Sequence, residues 1–523
     1  MNDSSPGFRR MRPTWSGLLA TLLLVILLAA PLPLAAQPAT SSTIALDAIK
    51  PEQRDEVAAL LPDGLPVYDL TLTFPAAGSL TLRGTSTLTY TNTTGEDLTA
   101  LPFRLYANGP DAGHDALTIE HVTVDGAGAT PEWSVDNSVA TVPLPSPLAP
   151  DAETTIAMGF AAEVPLDARE HYGIFNLSSS TGTWALAHWY PVLAGRDPVT
   201  GWMLEPTSKN GDPIFSDTAA YDVTVIAPDD LQLITSGVQT ATEPRENDMQ
   251  ATTFSAAPSR DFTIVADSDM RSVTREVAGT TITSWYEPGR DVSGEAVALW
   301  AEQSLEVFND LLGEYPYREL QLVQVEIYGA AGVEFPQLIY MGSTYYDREA
   351  LPDGPSSFEF TVAHEVVHQW FYNLVGNNQY AHAFIDEGLT NYLSAQVYFE
   401  RVYDAAAAAR VSDSYLEGPF ERAVASDADE IVDTPTDAFS SSRGYVMAAY
   451  SKAPMGFAAI RETVGDEAFF AALRAYVHAF CFRVATPDDL RTAFDAASDQ
   501  DVDAVWTHWF EERNGTDDVT PEN

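Results

Sequence analysis

The sequence predicts a multi-domain α+β protein in which an N-terminal all-β domain precedes a mainly helical domain. Residues 65–272 contain short segments that alternate apolar and polar side chains between Gly, Pro, Asp and Asn turns, which is typical of strands. In residues 273–515 helical spacing dominates after two further strand segments. A length of 523 residues with 45% hydrophobic content is sufficient for two or three domains with real cores.

The N-terminal segment, residues 1–37, predicts a signal peptide or an N-terminal anchor. Arginines among residues 9–12 precede the apolar run 17–30, and small residues near Ala36 suit cleavage. The apolar run is short for a bilayer span, but an uncleaved anchor remains an alternative. We therefore expect export, to the cell envelope or the extracellular space.

The charge balance limits the partners of the protein. The formal net charge is −48, and lysine occurs at only three positions, which are Lys50, Lys209 and Lys452. Such an acidic surface repels nucleic acid and anionic lipid head groups, so neither is expected as a partner. Cys481 is the single cysteine, so no internal disulfide can form and stability must come from packing or a bound metal ion.

The all-β prediction depends on five segments with alternating polarity. A mixed stretch, residues 38–64, precedes them as a predicted linker with a short helical candidate at 51–61. The five strand segments are VYDLTLTF (67–74), SLTLRGTSTLTYTN (79–92), TTIAMGFAAEV (154–164), AAYDVTVIAP (219–228) and FTIVADS (262–268).

The second domain begins with a helix and two strands. Residues 293–313 have helical spacing and end on Gly313, as a helix C-cap would. Residues 321–328 and 337–341 then favour strands, and the remaining residues to 513 favour helices. The polar end, residues 516–523, predicts a disordered tail.

The segment PSSFEFTVAHEVVHQWFYNLVG, residues 355–376, predicts a helix that carries two histidines and a glutamate in an apolar run. Ser356 is a typical N-cap residue with Glu359 three positions later, and Gly376 can end the helix. Burial of ionisable groups costs free energy unless something compensates for it. A bound metal ion would provide that compensation.

Spacing within this helix indicates a zinc site. His364 and His368 are four residues apart, so they project from one face and can bind one ion. Glu365 points beside them, where it can hold and deprotonate a water molecule, which is the H-E-x-x-H arrangement of zinc hydrolases. A catalytic site needs a third protein ligand, and Glu387 begins a second helical segment 18 residues after His368. The prediction is one Zn²⁺ on these three ligands, although another divalent ion can occupy such a site.

H-E-x-x-H with a glutamate 18 residues later resembles the aminopeptidase N family of gluzincins, which includes leukotriene hydrolase. Three other stretches resemble the family in order and spacing, namely residues 307–323, GAAGVEFP (329–336) and AAYSKAPMG (448–456). The resemblance covers residues 65 to about 510. It implies a saddle-like or sandwich-like β domain and a thermolysin-like catalytic domain with one zinc, without a large C-terminal helical domain over the cleft.

The resemblance also implies roles for side chains beyond the metal ligands. Tyr450 matches the family's tyrosine that donates to the developing oxyanion, and Lys452 matches a lysine of the same segment. Glu334 matches the carboxylate that captures the free amine of a peptide's first residue. Glu365 is the general base, as the residues alone also indicate.

The sequence departs from the family pattern at several positions. Val333 and Phe335 stand where methionine and asparagine or tyrosine are usual, and His382 stands where an aspartate usually precedes the ligand glutamate. Some family members supply a second amine-binding acid from the β domain, but residues 184–191, which lie at about that place in the sequence, contain no acidic residue. His382 is not expected to be a metal ligand.

These observations predict a secreted zinc metallopeptidase that acts on peptides, in the first place an aminopeptidase. A thermolysin-like endopeptidase with an open cleft is the alternative within the enzymes, because the segment around Phe335 is altered. A non-catalytic envelope or scaffold protein that retains the fold is the alternative outside them. Intact Glu365 and intact ligands argue against that last alternative.

Overall fold

A computed structural model describes residues 44–519, except 76–77, 109–114, 212–214, 348–349 and 351–353. From Ile44 onward the described residues pack as one compact unit. The predicted signal peptide or anchor, residues 1–37, lies outside the described residues. Within the described part of the chain, no helix is both long enough and apolar enough to cross a bilayer.

The first part of the chain is built from strands, as predicted. Its largest sheet has eight strands, and its two smaller sheets have four each. In sheet order, the eight strands are Val238–Pro244, Met249–Ser259, Ala219–Pro228, Val67–Thr73, Thr81–Thr91, Glu153–Glu163, Leu117–Val124 and Ala127–Ala129. In sheet order, the strands of one smaller sheet are Gln232–Thr235, Ile264–Asp267, Trp184–Leu186 and Phe175–Leu177. The strands of the other are Val192–Leu193, Leu98–Arg104, Val139–Leu148 and Glu132–Ser134. A two-stranded ribbon pairs Arg196–Asp197 with Gly201–Trp202.

The second part combines one mixed sheet with helices. In sheet order, the five strands are Arg271–Val277, Thr280–Tyr286, Glu319–Val325, Leu338–Gly342 and Gly332–Val333. The α-helices of six or more residues in this part are Asp291–Leu312, Ser357–Val367, Ala405–Ser412, Gly418–Ala425, Ser442–Met447, Ala453–Val464, Asp466–Phe480 and Pro487–Ala497. Shorter helical turns extend or connect them, at Phe384–Gly388, Leu389–Tyr392, Leu393–Tyr398, Phe399–Val402, Asp413–Glu417, Ala448–Lys452, Asp503–Trp506, Thr507–Glu511 and Gly515–Asp518.

The mixed sheet separates two hydrophobic cores. Along the strand Leu338–Gly342 successive side chains point to opposite faces, as strand geometry requires. Leu338 and Tyr340 join the core of the β domain. Ile339 and Met341 join the core of the helical domain. The strands that carry the functional site are therefore fixed from both sides.

The long helix and its cap follow the prediction closely. It spans Asp291–Leu312, and Gly313 follows it with φ 108°, a conformation that favours glycine. Trp300, Leu305 and Phe308 are buried on the face that packs against the helical core.

The helix predicted for residues 355–376 is shorter than expected. It spans Ser357–Val367, and Tyr372 has φ 121°, which breaks the helical path. Residues 375–377 form a short strand beside Arg483–Ala485. The apolar periodicity continued past the helix end because the side chains of the following turns are also buried, so the pattern did not distinguish them from helix.

Gly376 therefore has a different role from the predicted helix end. It lies against Arg260, a fully buried arginine that joins the β domain to the helical domain. The guanidinium donates to the carbonyl oxygens of Asn373 (3.1 Å), Ser216 (3.2 Å) and Arg483 (2.6 Å). A β-carbon at residue 376 would lie 2.4 Å from the Arg260 guanidinium carbon, so only glycine fits.

We expect Gly376→Ala to lower the free energy of unfolding by about 1–3 kcal/mol, because the added methyl overpacks the buried guanidinium. Denaturant unfolding measures this loss. Gly128→Ala is the matched control, since a β-carbon at residue 128 meets no atom within 4 Å. Equal stability of the two variants would contradict the proposed contact.

The predicted linker and the predicted disordered tail are both packed where the structure describes them. In the predicted linker, residues 51–60 form a helix with Val57 buried, and Ile49 pairs with Tyr317 of the helical domain. The predicted disordered tail, residues 516–523, begins with a helical turn that contacts the protein, because Asp518 accepts from His508 at 2.8 Å. The helical candidate at 51–61 is therefore confirmed, whereas polar composition gave a wrong prediction for residues 516–519, which a salt bridge between Asp518 and His508 holds. Residues 520–523 lie outside the described residues.

Candidate metal centre

The helix Ser357–Val367 presents both predicted histidines to one cleft. Its N-terminus is capped as predicted, because the Ser356 hydroxyl accepts from the Glu359 backbone N–H at 3.1 Å. Val362 and Val366 are fully buried on the opposite side. This packing fixes the helix, and therefore the direction in which His364 projects.

Glu387 reaches the same cleft from a second helical run, residues 384–402. Gly388 allows this run to approach the helix Ala453–Val464 closely, because a β-carbon at residue 388 would lie 2.6 Å from the Ala453 methyl. The predicted return of a second helix to the metal site is thus observed. The first turn, Phe384–Gly388, is a π-helical turn, a feature that is frequent at functional sites.

The three predicted ligands converge on one point. His364 Nε2 lies 3.1 Å from His368 Nε2, and Glu387 Oε2 lies 3.3 Å from the former and 3.5 Å from the latter. Ligand atoms at about 2.0–2.1 Å from a tetrahedral zinc ion would be roughly 3.3 Å apart. All three residues are buried, and Glu387 Oε2 has no hydrogen-bond partner among the described residues. The arrangement fits one zinc ion.

Asp386 fixes the orientation of His368, a role that was missed in the sequence. Its carboxylate lies 2.7 Å from His368 Nδ1, and Gln379 donates to its second oxygen. Because Nδ1 donates to this carboxylate, the lone pair of Nε2 points toward the other two ligands. The sequence shows Asp386 next to the predicted ligand Glu387, but no periodicity indicates that its side chain reaches His368.

We expect Asp386→Ala to weaken zinc binding by about 10–100-fold, because His368 loses the group that orients it. Competition with a chelator of known affinity measures this change. Asp386→Asn is the matched control, since its amide oxygen still accepts a hydrogen bond, and a smaller loss is expected. Unchanged zinc affinity in the alanine variant would contradict this role.

Glu365 and Glu334 lie on the same side of the ion site. One oxygen of each carboxylate and one ring nitrogen of His368 lie within 4.8 Å of one another. Gly332 packs directly on the Glu365 carboxylate, because a β-carbon at residue 332 would lie 2.4 Å from it. Glu365 Oε2 is buried without a hydrogen-bond partner among the described residues, so it is available to a ligand.

Burial and mutual repulsion shift the pKa values of this cluster. Burial raises the pKa of Glu365 well above its usual range, and the Glu334 carboxylate raises it further. Burial also raises the pKa of Glu334 to about 7, against the opposing effect of His368. For His368, burial lowers the pKa, but the Asp386 and Glu334 carboxylates outweigh burial and raise it well above normal. A bound dication would favour the ionised carboxylates.

The cleft around these groups has a volume of about 530 Å³. Tyr450 lines it, with its ring centroid 6.2 Å from that of His364, so the structure places it beside the predicted ligands. The β domain contributes Lys209 and Tyr172 to the lining of the cleft. Among the described residues that line the cleft, the β domain supplies no acid, which agrees with the sequence around 184–191.

Two residues that the sequence analysis considered, Lys452 and His382, are not part of the candidate ligand group. Lys452 is buried, pairs with Asp429 at 2.9 Å and donates to backbone carbonyls, so its role is structural. His382 lies 2.5 Å from Asp433 through Nδ1 and takes no part in the ligand group, as predicted.

Part of the chain resembles known aminopeptidases in sequence. Residues 300–509 match the peptidase family M1 domain. Aminopeptidase 2 of Candida albicans is 23% identical over 346 residues, which cover 62% of this chain and 37% of that protein. The alanine/arginine aminopeptidase of Saccharomyces cerevisiae is 24% identical over 329 residues, with coverage of 59% and 37%. The chain thus spans little more than a third of the length of these curated relatives.

Solved structures resemble the fold over nearly the whole chain. A mutant M1 zinc metallopeptidase of Deinococcus radiodurans aligns with a TM-score of 0.63 at 20% identity, and covers 88% of this chain and 96% of that one. A structure described as a two-domain M1 zinc metallopeptidase bound to L-arginine aligns with a TM-score of 0.61 at 20% identity, covering 91% and 98%. The predicted order of a β-rich domain followed by a mainly helical domain is therefore confirmed. The domain match and the relatives thus confirm the predicted resemblance to the aminopeptidase N-like peptidases, with the family M1 domain matched over residues 300–509.

Proposed function

We propose that the protein is a zinc-dependent aminopeptidase that removes N-terminal residues from peptides. The observation that carries this proposal is the position of Glu334 in the cleft, within 4.8 Å of both Glu365 and His368. A buried carboxylate at that distance can bind a free α-ammonium group while the first peptide bond lies at the metal. An endopeptidase would need the cleft to continue past this point.

Zinc, held by His364, His368 and Glu387, would supply a Lewis acid that polarises the scissile carbonyl and activates water. Glu365 accepts the proton of that water and passes it to the leaving amine. Its carboxylate is suited to this role because it is buried beside the ligands and has one oxygen without a partner among the described residues.

Substrate orientation follows from the edge of the mixed sheet. The strand Gly332–Val333 is the outermost strand of that sheet and runs into Glu334. A peptide can add to such an edge through its main chain, which leaves its N-terminus at Glu334. Tyr450 lines the same cleft, with its ring centroid 6.2 Å from that of His364, and in this proposal it donates its hydroxyl to the developing oxyanion.

The proposal is tested with a panel of aminoacyl anilides, assayed with and without a zinc chelator. We expect hydrolysis that the chelator abolishes and added zinc restores. No chelator-sensitive turnover of any member would overturn the proposal. Cleavage of N-terminally blocked peptides at internal bonds, at rates similar to those of free-amine substrates, would favour the endopeptidase.

Export is also part of the proposal. The arginines among residues 9–12 and the apolar run 17–30 support a signal peptide or an N-terminal anchor, which would place the enzyme in the cell envelope or outside the cell. Sequencing the N-terminus of the native protein tests this: a start near residue 37 indicates cleavage, and an intact start recovered from membranes indicates an anchor. Recovery of the intact chain from the cytoplasm would contradict export.

A further inference from the structure

Gln369 connects the segment that carries the candidate ligand His368 to the turn that follows Glu334. It follows the ligand His368 directly and is fully buried. Its side-chain oxygen accepts from the backbone N–H of Gln337 at 2.9 Å, and its side-chain nitrogen donates to the carbonyl oxygen of Phe335 at 3.3 Å. One amide therefore binds both sides of the turn that follows Glu334.

The backbone of that turn is also held by two hydrogen bonds, from the Gln321 N–H to the Gln337 carbonyl oxygen (2.9 Å) and from the Leu338 N–H to the Phe335 carbonyl oxygen (3.1 Å). The turn connects the edge strand Gly332–Val333 to the strand Leu338–Gly342. Gln337 has φ 63°, a conformation that costs free energy for a residue with a β-carbon, and its buried side-chain amide has no hydrogen-bond partner among the described residues. Phe335 packs its ring into the β-domain core, 4.9 Å from the ring of Tyr340. The turn is thus held at a defined place between the two domains.

We propose that Gln369 is a positioning residue for exopeptidase specificity, because its amide clips the turn 334–337 to the ligand-bearing segment and so fixes the Glu334 carboxylate relative to the metal. This inference rests on the proposed aminopeptidase function. We use the name amide clip for the pair of hydrogen bonds from Gln369 to Phe335 and Gln337.

The amide clip explains how a substituted motif can retain its geometry. The sequence has Val333 and Phe335 where the family pattern has other residues, so side-chain contacts around Glu334 differ from that pattern. The clip uses only backbone atoms of the turn. The register of Glu334 is therefore independent of which side chains occupy the neighbouring positions.

Gln369→Met tests the clip, because methionine has a similar length and makes neither hydrogen bond. The probes are leucine hydroxamate and 4-methylpentanohydroxamic acid, which both bind zinc and differ only in the α-amine. Calorimetry of the zinc-loaded protein gives the two dissociation constants, and their ratio is the amine preference. We expect the amine preference of the variant to fall about tenfold. Its affinity for 4-methylpentanohydroxamic acid and its zinc content should remain nearly unchanged.

A second readout reports on the clip without any ligand. The amide hydrogen of Gln337 should exchange with solvent more than tenfold faster in the variant, since its acceptor is removed. Gln369→Asn provides a conservative variant if methionine prevents folding, because its amide is one methylene too short to reach the turn. It should show the same loss of amine preference.

Gln321→Met is the matched control, a buried glutamine of the same sheet whose oxygen accepts from Trp285 Nε1 at 2.8 Å. It should leave the amine preference at the wild-type value, and an equal loss there would overturn the clip. Retained preference in Gln369→Met and Gln369→Asn would also overturn it. Wild-type protein without any amine preference would instead overturn the proposed function, and this inference with it.

Discussion

Replacement of Glu365 by glutamine is expected to lower kcat by about 10³-fold, while the protein keeps one zinc ion per chain. The amide cannot accept the proton of the attacking water, and general-base catalysis is worth roughly 10²–10⁴-fold. The isosteric side chain still fits against Gly332, where the Glu365 carboxylate is packed. Turnover of an aminoacyl anilide and elemental analysis of the same sample measure the two quantities.

Glu359→Gln is the matched control for this variant. Glu359 lies on the same helix and is also buried, but its carboxylate accepts from the hydroxyls of Tyr398 and Tyr403, away from the cleft. We expect its kcat to remain within about twofold of the wild-type value. If Glu365→Gln kept its turnover within tenfold of wild type, Glu365 would not be the general base.

Replacement of Glu334 by alanine is expected to lower kcat/KM for free-amine substrates by about 10²-fold or more. Loss of one partner from a buried charge pair costs roughly 2–5 kcal/mol, and each 1.4 kcal/mol corresponds to a factor of ten. Zinc content should not change, because Glu334 is absent from the group formed by His364, His368 and Glu387. The measurement is a comparison of kcat/KM on one aminoacyl anilide with zinc content determined in parallel.

Glu326→Ala is the control for a glutamate near the cleft that does not face the ligands. Its carboxylate accepts from the hydroxyls of Ser178 and Ser180. We expect its kcat/KM to stay near that of the wild type. Unchanged activity of Glu334→Ala on free-amine substrates would show that the carboxylate does not bind the amine, and would move the proposal toward the endopeptidase.

The convergence of the candidate zinc ligands could be predicted from the sequence because most of their geometry is local. Two histidines four residues apart on one helix must share a face, so His364 and His368 were placed by helix geometry alone. Glu387 needed the additional step that a second helix returns to the site. The structure shows how it returns, with Gly388 allowing close contact at Ala453.

Other parts of the site could not be predicted, because they depend on tertiary pairing. Asp386 orients His368 only because a π-helical turn presents both Asp386 and Glu387 toward the same helix. Gln369 was one polar residue in an apolar run, and its partners lie more than thirty residues away. No periodicity indicates such contacts.

The ends of helices and strands could likewise be predicted only where a local sequence pattern marks them. The strand Ala219–Pro228 was predicted to the residue, because alternation and flanking turns both mark its ends. The ligand-bearing helix was predicted too long, because Trp370 and Leu374 are buried in the turns beyond it and continue the apolar pattern. Gly376 was assigned to a helix end when it actually makes room for Arg260.

Anomalous diffraction at the zinc absorption edge, from crystals of the purified protein, tests whether His364, His368 and Glu387 together bind one zinc ion. We expect a single strong peak per chain at about 2.0–2.2 Å from His364 Nε2, His368 Nε2 and a carboxylate oxygen of Glu387. The same peak should disappear after chelation and return with zinc. An empty position between these three residues after zinc reconstitution, or a peak elsewhere in the chain, would contradict the account.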